Sequence, residues 1–320
     1  MPKTTESKRA PREPPYEAAA SGDLEAVKTL LDNGADINAA HRAFTLRRRK
    51  SIETSPNSSS RRAYHHGPEI CLSAARGGHI ETTRLLLECD RVTGSVDNKQ
   101  GMTPLHFAVE SRNVELVQLL LSFNITTTAC CHGGDTALHF AAKDSHAELC
   151  EILMKYDDAR KPAKMKNFCN HTPIAYAVQE GHAGVVDGFL RSKRIFPKAR
   201  DGYNELLFHE AVQVGKCDVV QVFLDNCVPI NLRGRDGKRA LHLAAADTRN
   251  FEMARLLLQN GASIKIKDSI GNTPSDRSRN PEVTMLIRNW ADQAAASDPK
   301  GKKASRPPKA TAAAPPEYVA

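Results

Sequence analysis

The chain has 320 residues, 40% hydrophobic and 26% charged, with 5% aromatics and a single tryptophan, Trp290. No run approaches the ~18–20 apolar residues that a membrane span requires, and eight cysteines without a C-x-x-C pair form no disulfide framework. Secreted, membrane-spanning and disulfide-stapled classes are therefore set aside, and the formal net charge of +8 becomes a question of where the cations lie.

Residues 1–13 hold charge and proline with no apolar core, which predicts a disordered N-terminus and no secretory signal. Residues 14–39 read as a small-residue helix around Ala18–Ala20, a turn at Gly22 and an apolar helix through Leu30. Residues 40–67 form a basic, Ser-rich insertion in which Arg42, Arg47, Arg48, Arg49, Lys50, Arg61 and Arg62 face only Glu53. It contains Ser51 directly after a basic run and Ser55 before Pro56, which suit a basophilic and a proline-directed kinase respectively. Arg47–Lys50 with Arg61 and Arg62 have the form of a split nuclear-import signal.

From residue 68 to 291 the pattern of 14–39 returns seven times. AAASGDLEAV at 18 is followed by AARGGHIETT at 74, AVESRNVELV at 108 and AAKDSHAELC at 141, then AVQEGHAGVV at 177, AVQVGKCDVV at 211 and AAADTRNFEMA at 244. A degenerate copy begins at Thr273. One column is apolar in every copy: Leu30, Leu86, Leu120, Leu153, Phe189, Phe223, Leu257 and Ile287. Thr29 and Gly188 interrupt the column before it. Helices of roughly ten residues are marginal alone, so these pairs must stack to bury their faces. Residues 292–320, rich in Ala, Pro and Lys, are expected to be a disordered tail.

The words TPLHFA at 103–108, TALHFA at 136–141, TPIAYA at 172–177 and RALHLA at 239–244, with NGADINA at 33–39, resemble the ankyrin-repeat family. The resemblance implies an all-α solenoid of stacked helix pairs with projecting β-turn fingers, in which the repeated His106, His139, His209 and His242 are structural. It also implies a concave face, made of fingers and first helices, that grips protein partners. Carried onto this chain, the finger positions are Lys99, Gln100, Met102, His132, Asp135, Phe168, His171, Tyr203, Glu205, Arg235, Asp236 and Lys238. The helix positions are Glu110, Ser111, Lys143, Asp144, Gln179, Glu180, Gln213 and Asp247. Phe168 and Tyr203 are the candidate aromatic anchors. Phe107, Phe140 and Tyr176 share a repeat position with Leu243, which assigns them to the core.

No catalytic motif is found: GxxxxGK[ST], HExxH, GxSxG and a strand-to-helix GxGxxG are all missing. Cys130, Cys131, His132, Cys169 and His171 lie in neighbouring connectors, but their spacing matches no standard zinc motif and they read as ordinary finger residues. The segments outside the repeats are too short and too polar to fold as a catalytic domain. No cofactor is expected. The basicity sits in three polar segments, whereas a nucleic-acid reader needs its charge on a shaped face, so direct nucleic-acid binding is not expected. The expected function is a non-catalytic, regulatory protein-binding scaffold. It acts as a monomer in the nucleus or cytoplasm, as a transcription co-regulator whose partner is a transcription factor. The alternative is a cytosolic adaptor presenting substrates to a ubiquitin ligase or another enzyme.

Overall fold

The computed structural model describes residues 15–33, 69–89, 97–156, 162–192 and 206–297. The described residues form seven short antiparallel helix pairs and one final helix. In chain order they are α1 (Pro15–Ser21) and α2 (Leu24–Asp32), α3 (Glu69–Arg76) and α4 (Ile80–Glu88), α5 (Pro104–Glu110) and α6 (Val114–Ser122), α7 (Ala137–Lys143) and α8 (Ala147–Lys155). There follow α9 (Pro173–Glu180) and α10 (Ala183–Arg191), α11 (Leu207–Val214) and α12 (Cys217–Asp225), α13 (Ala240–Ala246) and α14 (Phe251–Gln259), and lastly α15 (Pro281–Ser297). Each first helix packs on the first helices before and after it, and each second helix on its own neighbours, giving an inner and an outer layer. This is the stacked-pair solenoid that the periodicity predicts.

The starts of three inner helices, α5, α7 and α9, are set by threonine and proline. Thr103, Thr136 and Thr172 are N-caps in extended conformation, and Pro104 and Pro173 occupy the first turn, where no N–H is needed. Alanines fill the interface between successive inner helices: Ala74, Ala75, Ala108, Ala141, Ala177, Ala211 and Ala244 are fully buried. Their small side chains let the backbones approach, so layers of short helices form a continuous core. Of the apolar column, Leu86, Leu120, Leu153, Phe189, Phe223, Leu257 and Ile287 are buried, and Leu30, near the open end, is half-buried. Burial of each such side chain contributes roughly 1.5–3 kcal/mol. The first and second repeats share a separate small core of Ala18, Ala19, Val27, Ile70, Ala74 and Leu86.

Two departures from the regular repeat have physical causes. In the eighth copy no inner helix forms; residues 274–277 make a turn. Ser275, Asp276, Arg277 and Ser278 offer no apolar stripe, and Asp276 accepts the N–H and hydroxyl of Thr273 at 2.8 and 2.6 Å. The outer helix of that copy is longer than expected. It runs to Ser297, so residues 292–297, assigned by sequence to the tail, are helical. Residues 1–13 and the basic insertion 40–67, with Arg47, Arg48, Arg49, Lys50, Ser51, Ser55, Arg61 and Arg62, lie outside the described residues, as does the tail beyond Ser297.

Candidate functional site

Among the described residues the fingers are tight hairpins that carry contacts between neighbouring repeats above the helices. In each, the N–H of one residue donates to the carbonyl four residues on: Asn98 to Met102, Cys131 to Asp135, Asn167 to His171, Gly234 to Lys238 and Asp268 to Asn272. Three of these leading residues also brace the hairpin with their side chains. Asn98 Oδ1 accepts from Gln100 and Met102, Asn167 Oδ1 from His171, and Asp268 Oδ1 from Ile270 and Asn272, all at 2.8–2.9 Å. Adjacent fingers then pair. His132 N donates to Gln100 O at 2.7 Å, Phe168 N to Gly133 O at 3.1 Å, and Ser269 N to Asp236 O at 2.9 Å. Gly134, at φ +81°, sits where a Cβ would meet Phe168 N at 2.7 Å, so only glycine permits this approach.

Three of the four repeated histidines, His106, His139 and His242, clamp their inner helices to the following finger, and His209 is buried at the same position on α11. Nδ1 of His106 accepts Thr103 N–H at 3.1 Å, and its Nε2 reaches the Asp135 carbonyl at 3.2 Å. His139 does the same between Thr136 and His171, and His242 between Arg239 and Asn272. Backbone N–H groups only donate and carbonyls only accept, so each ring is the neutral tautomer with its proton on Nε2. Burial lowers the pKa of all three, and the carbonyl hydrogen bond opposes this only in part. The structural role implied by the family resemblance thus has a defined geometry.

The expected partner-facing positions divide. Lys99, Gln100, His132, Arg235 and Asp236 are exposed on the fingers, and Glu110, Lys143, Asp144 and Glu180 on the inner helices. Phe168 is 79% exposed, although its backbone is held by the neighbouring finger. Met102 is a correction: it is only 8% exposed and belongs to the core under its finger. Asp135 is half-buried and tied, its Oδ1 accepting Asn167 Nδ2 at 2.7 Å and its carbonyl facing His106. His171 and Gln179 meet at 3.2 Å, and Gln179 donates to the buried Glu210 at 2.6 Å, forming a polar chain across two successive repeats. Lys238 is half-buried and pairs with Asp236 at 3.2 Å. Tyr203 and Glu205 lie outside the described residues.

The repeat-position assignment of Phe107, Phe140 and Tyr176 to the core holds only in part, with Phe140 packed against the buried core. All three are half-buried and stand in a file along the inner-helix surface. Phe140 packs edge-on against His106 with centroids 5.5 Å apart, and Tyr176 against His139 at 6.0 Å. Arg76 lies over the Phe107 ring at 5.9 Å and Lys143 over Tyr176 at 5.7 Å. The signal was present in the sequence. Phe107, Glu110 and Ser111 are spaced i, i+3, i+4, so an aromatic ring shares one helical face with exposed polar residues. Around this file Glu110, Asp144, Glu180 and Glu210 outnumber Arg76 and Lys143, and the middle of the face is acidic.

Among the described residues no three His, Cys, Asp or Glu side chains are grouped to hold a metal ion, and no helix is long and apolar enough to cross a membrane. Cys71 and Cys150 are buried thiols, pushed up to about 12 by desolvation.

Stacked helix pairs, paired fingers and histidine clamps together define a repeat scaffold that presents a surface. Ankyrin-repeat family models match residues 16–42, 52–129, 123–201 and 224–277, and the chain belongs to the ankyrin-repeat family. It is 35% identical over 79 residues to the putative ankyrin repeat protein FPV223 of Fowlpox virus, covering 25% of this chain and 54% of that protein. It is 32% identical over 98 residues to the probable 26S proteasome regulatory subunit p28 of Saccharomyces cerevisiae, covering 27% of this chain and 42% of that protein. The chain thus spans about half the length, or less, of these curated relatives. The ankyrin repeat domain of Bcl-3 superposes on 68% of this chain and 97% of its own length, with TM-score 0.62 and 22% identity. The human ASB11 ankyrin repeat domain superposes on 87% of this chain and 98% of its own, with TM-score 0.53 and 19% identity. These likenesses establish the fold and, with the family models, a protein-binding scaffold.

Proposed function

We propose that this chain is a regulatory scaffold of the nucleus that grips a transcription factor on its concave face. The observation that carries the binding surface is Phe168, a phenyl ring 79% exposed at the tip of a finger whose backbone is hydrogen-bonded within its own hairpin and to the preceding finger. Exposing an aromatic ring that size forgoes favourable burial, and a rigid aromatic beside exposed charge is the usual form of an interface anchor. The half-buried file of Phe107, Phe140 and Tyr176 continues the apolar strip beneath it, and the exposed Glu110, Lys143, Asp144 and Glu180 border it as a polar rim. Phe168→Ala is expected to weaken capture of the cellular partner at least tenfold while the melting temperature stays within a few degrees of the parent. Unchanged capture would move the interface off this finger.

The nuclear part of the reading rests on Arg47, Arg48, Arg49 and Lys50 with Arg61 and Arg62 in the basic insertion. Phosphorylation at Ser51 and Ser55 would add about −1.5 to −2 charges each, cancelling half or more of that local excess and making import regulable. Changing residues 47–50 to alanine should move a fluorescent fusion from nucleus to cytosol without altering the thermal unfolding of the repeats. An unchanged distribution would leave the cytosolic adaptor as the better reading of the same scaffold.

A further inference from the structure

The cationic side chains within the repeats are not evenly placed along the concave face. At its C-terminal end a groove of about 500 Å³ is lined by Lys238, Arg249, Arg277 and Arg279, against the single carboxylate of Asp247. Its apolar floor is Leu243 and Ala246. The groove exists because two irregularities of the sequence coincide in space. The eighth copy has a turn at 274–277 where an inner helix would otherwise fill the face. The seventh copy carries an extra residue near Thr248, which turns the chain outward through Asp247, Thr248 and Arg249. Ala246 also stands in the column that holds Glu110, Lys143, Gln179 and Gln213 in other repeats, so no long side chain closes the space.

The cations come from separate segments: one finger, the α13–α14 turn and the turn before α15. Their local carboxylates are largely committed. Asp268 has a fully buried side chain and accepts Arg277 Nε together with the N–H groups of Ile270 and Asn272. Burial alone would raise its pKa, but these donors hold it at about 2. Asp236 pairs with Lys238, and Asp247 accepts the backbone N–H of Arg249 and lies 3.5 Å from its Nε. Arg279 forms no ion pair among the described residues; its backbone N–H fixes the turn by donating to the Ala245 carbonyl at 3.2 Å. One residue after Lys238, the Nε and Nη1 of Arg239 are buried without a hydrogen-bond partner. Three of the four groove cations are thus paired, and the groove keeps its positive excess through Arg279.

We propose that this groove binds a phosphorylated serine or threonine carried on a peptide segment of the partner. A phosphoryl group brings close to two negative charges and three strong acceptors. Guanidinium forks from several directions match it in a way that a single carboxylate does not use. The groove opens onto the same face as the aromatic file, so an extended segment reaches both. A long polyanion such as nucleic acid fits less well, because it would have to run on over Glu180 and Glu210. The inference rests on reading the concave face as a protein-binding surface. Its test measures peptide binding directly, so its outcome is separate from whether Phe168→Ala loses the cellular partner.

Two labelled pools of short peptides, identical except for a central phosphoserine or serine among randomised neutral residues, are titrated with the full chain by fluorescence anisotropy. The phosphorylated pool should bind roughly tenfold tighter or more. The double variant Arg249→Gln/Arg279→Gln should erase that difference with an unchanged melting temperature. Arg84→Gln, on outer helix α4, should keep it. Equal binding of the two pools would overturn the proposal, and so would a difference that survives the double variant. A pool with central glutamate binding as tightly as phosphoserine would make the ligand a carboxylate. An oligonucleotide competing as well as the phosphopeptide would make the groove a general polyanion site. Either result rejects phosphoryl recognition.

Discussion

Leu120→Ala is expected to destabilise the array by roughly 2–5 kcal/mol, a larger effect than the same truncation at the end of the same column. Leu120 is 0% exposed on α6, which is packed between α4 and α8 and against its own inner helix α5. The side chain is enclosed on every side, so its removal leaves a cavity that helices held by two neighbours cannot close. Ile287 occupies the equivalent place on α15 and is also buried. Yet α15 packs on α14 with no further helix beyond it among the described residues, so it can shift inward and recover part of the lost contact. Ile287→Ala should therefore cost clearly less. Urea denaturation followed by circular dichroism gives the two values, and hydrogen exchange places the loss within the array. Equal destabilisation by both variants would contradict nearest-neighbour stacking as the source of stability.

The scaffold was legible in the sequence because stacking requires the same residue types at each repeat. The apolar column, the Thr-Pro helix starts and the recurring histidine each answer a packing or hydrogen-bonding need that returns about every 33 residues, and periodicity exposes them. The finger-bracing residues Asn98, Asn167 and Asp268 share one position, four residues before the end of the hairpin, but Cys131 and Gly234 interrupt it and the pattern is carried by side-chain acceptors rather than by hydrophobicity. The candidate site was only partly legible, because binding positions are where repeats differ. Met102 follows a finger glycine as an exposed residue would, yet it turns under its hairpin into the core. Phe107, Phe140 and Tyr176 look like core residues by type, and only their i+3 neighbours reveal that their helical face is open. The cationic groove could not be read from charge counts, since Arg249 and Arg277 lie 28 positions apart. The absence of one inner helix brings them to one place.

Acidification from pH 7.5 to 5.5 should remove a large part of the stability through His106, His139 and His242. Each ring is buried, accepts a backbone N–H at Nδ1 and donates from Nε2 to the next finger. A proton added at Nδ1 would face another N–H, losing the bond and placing a charge in the core. Burial holds these imidazoles below the ordinary value of 6.5 that they regain on unfolding. Between the two values the unfolded chain binds more protons than the folded one. The contribution is therefore complete above pH 6.5 and is lost as the pH falls below it. One pH unit below 6.5, a histidine that stays neutral in the fold has cost about 1.4 kcal/mol, so the three together cost up to roughly 4 kcal/mol. Urea midpoints measured across this range should fall steeply below pH 6.5. His139→Gln should be less stable than the parent at pH 7.5 yet lose about one third less on acidification. A flat profile from pH 7.5 to 5.5 would mean that the rings take up protons as readily in the fold as in the unfolded chain, and the clamp geometry between inner helix and finger would be wrong.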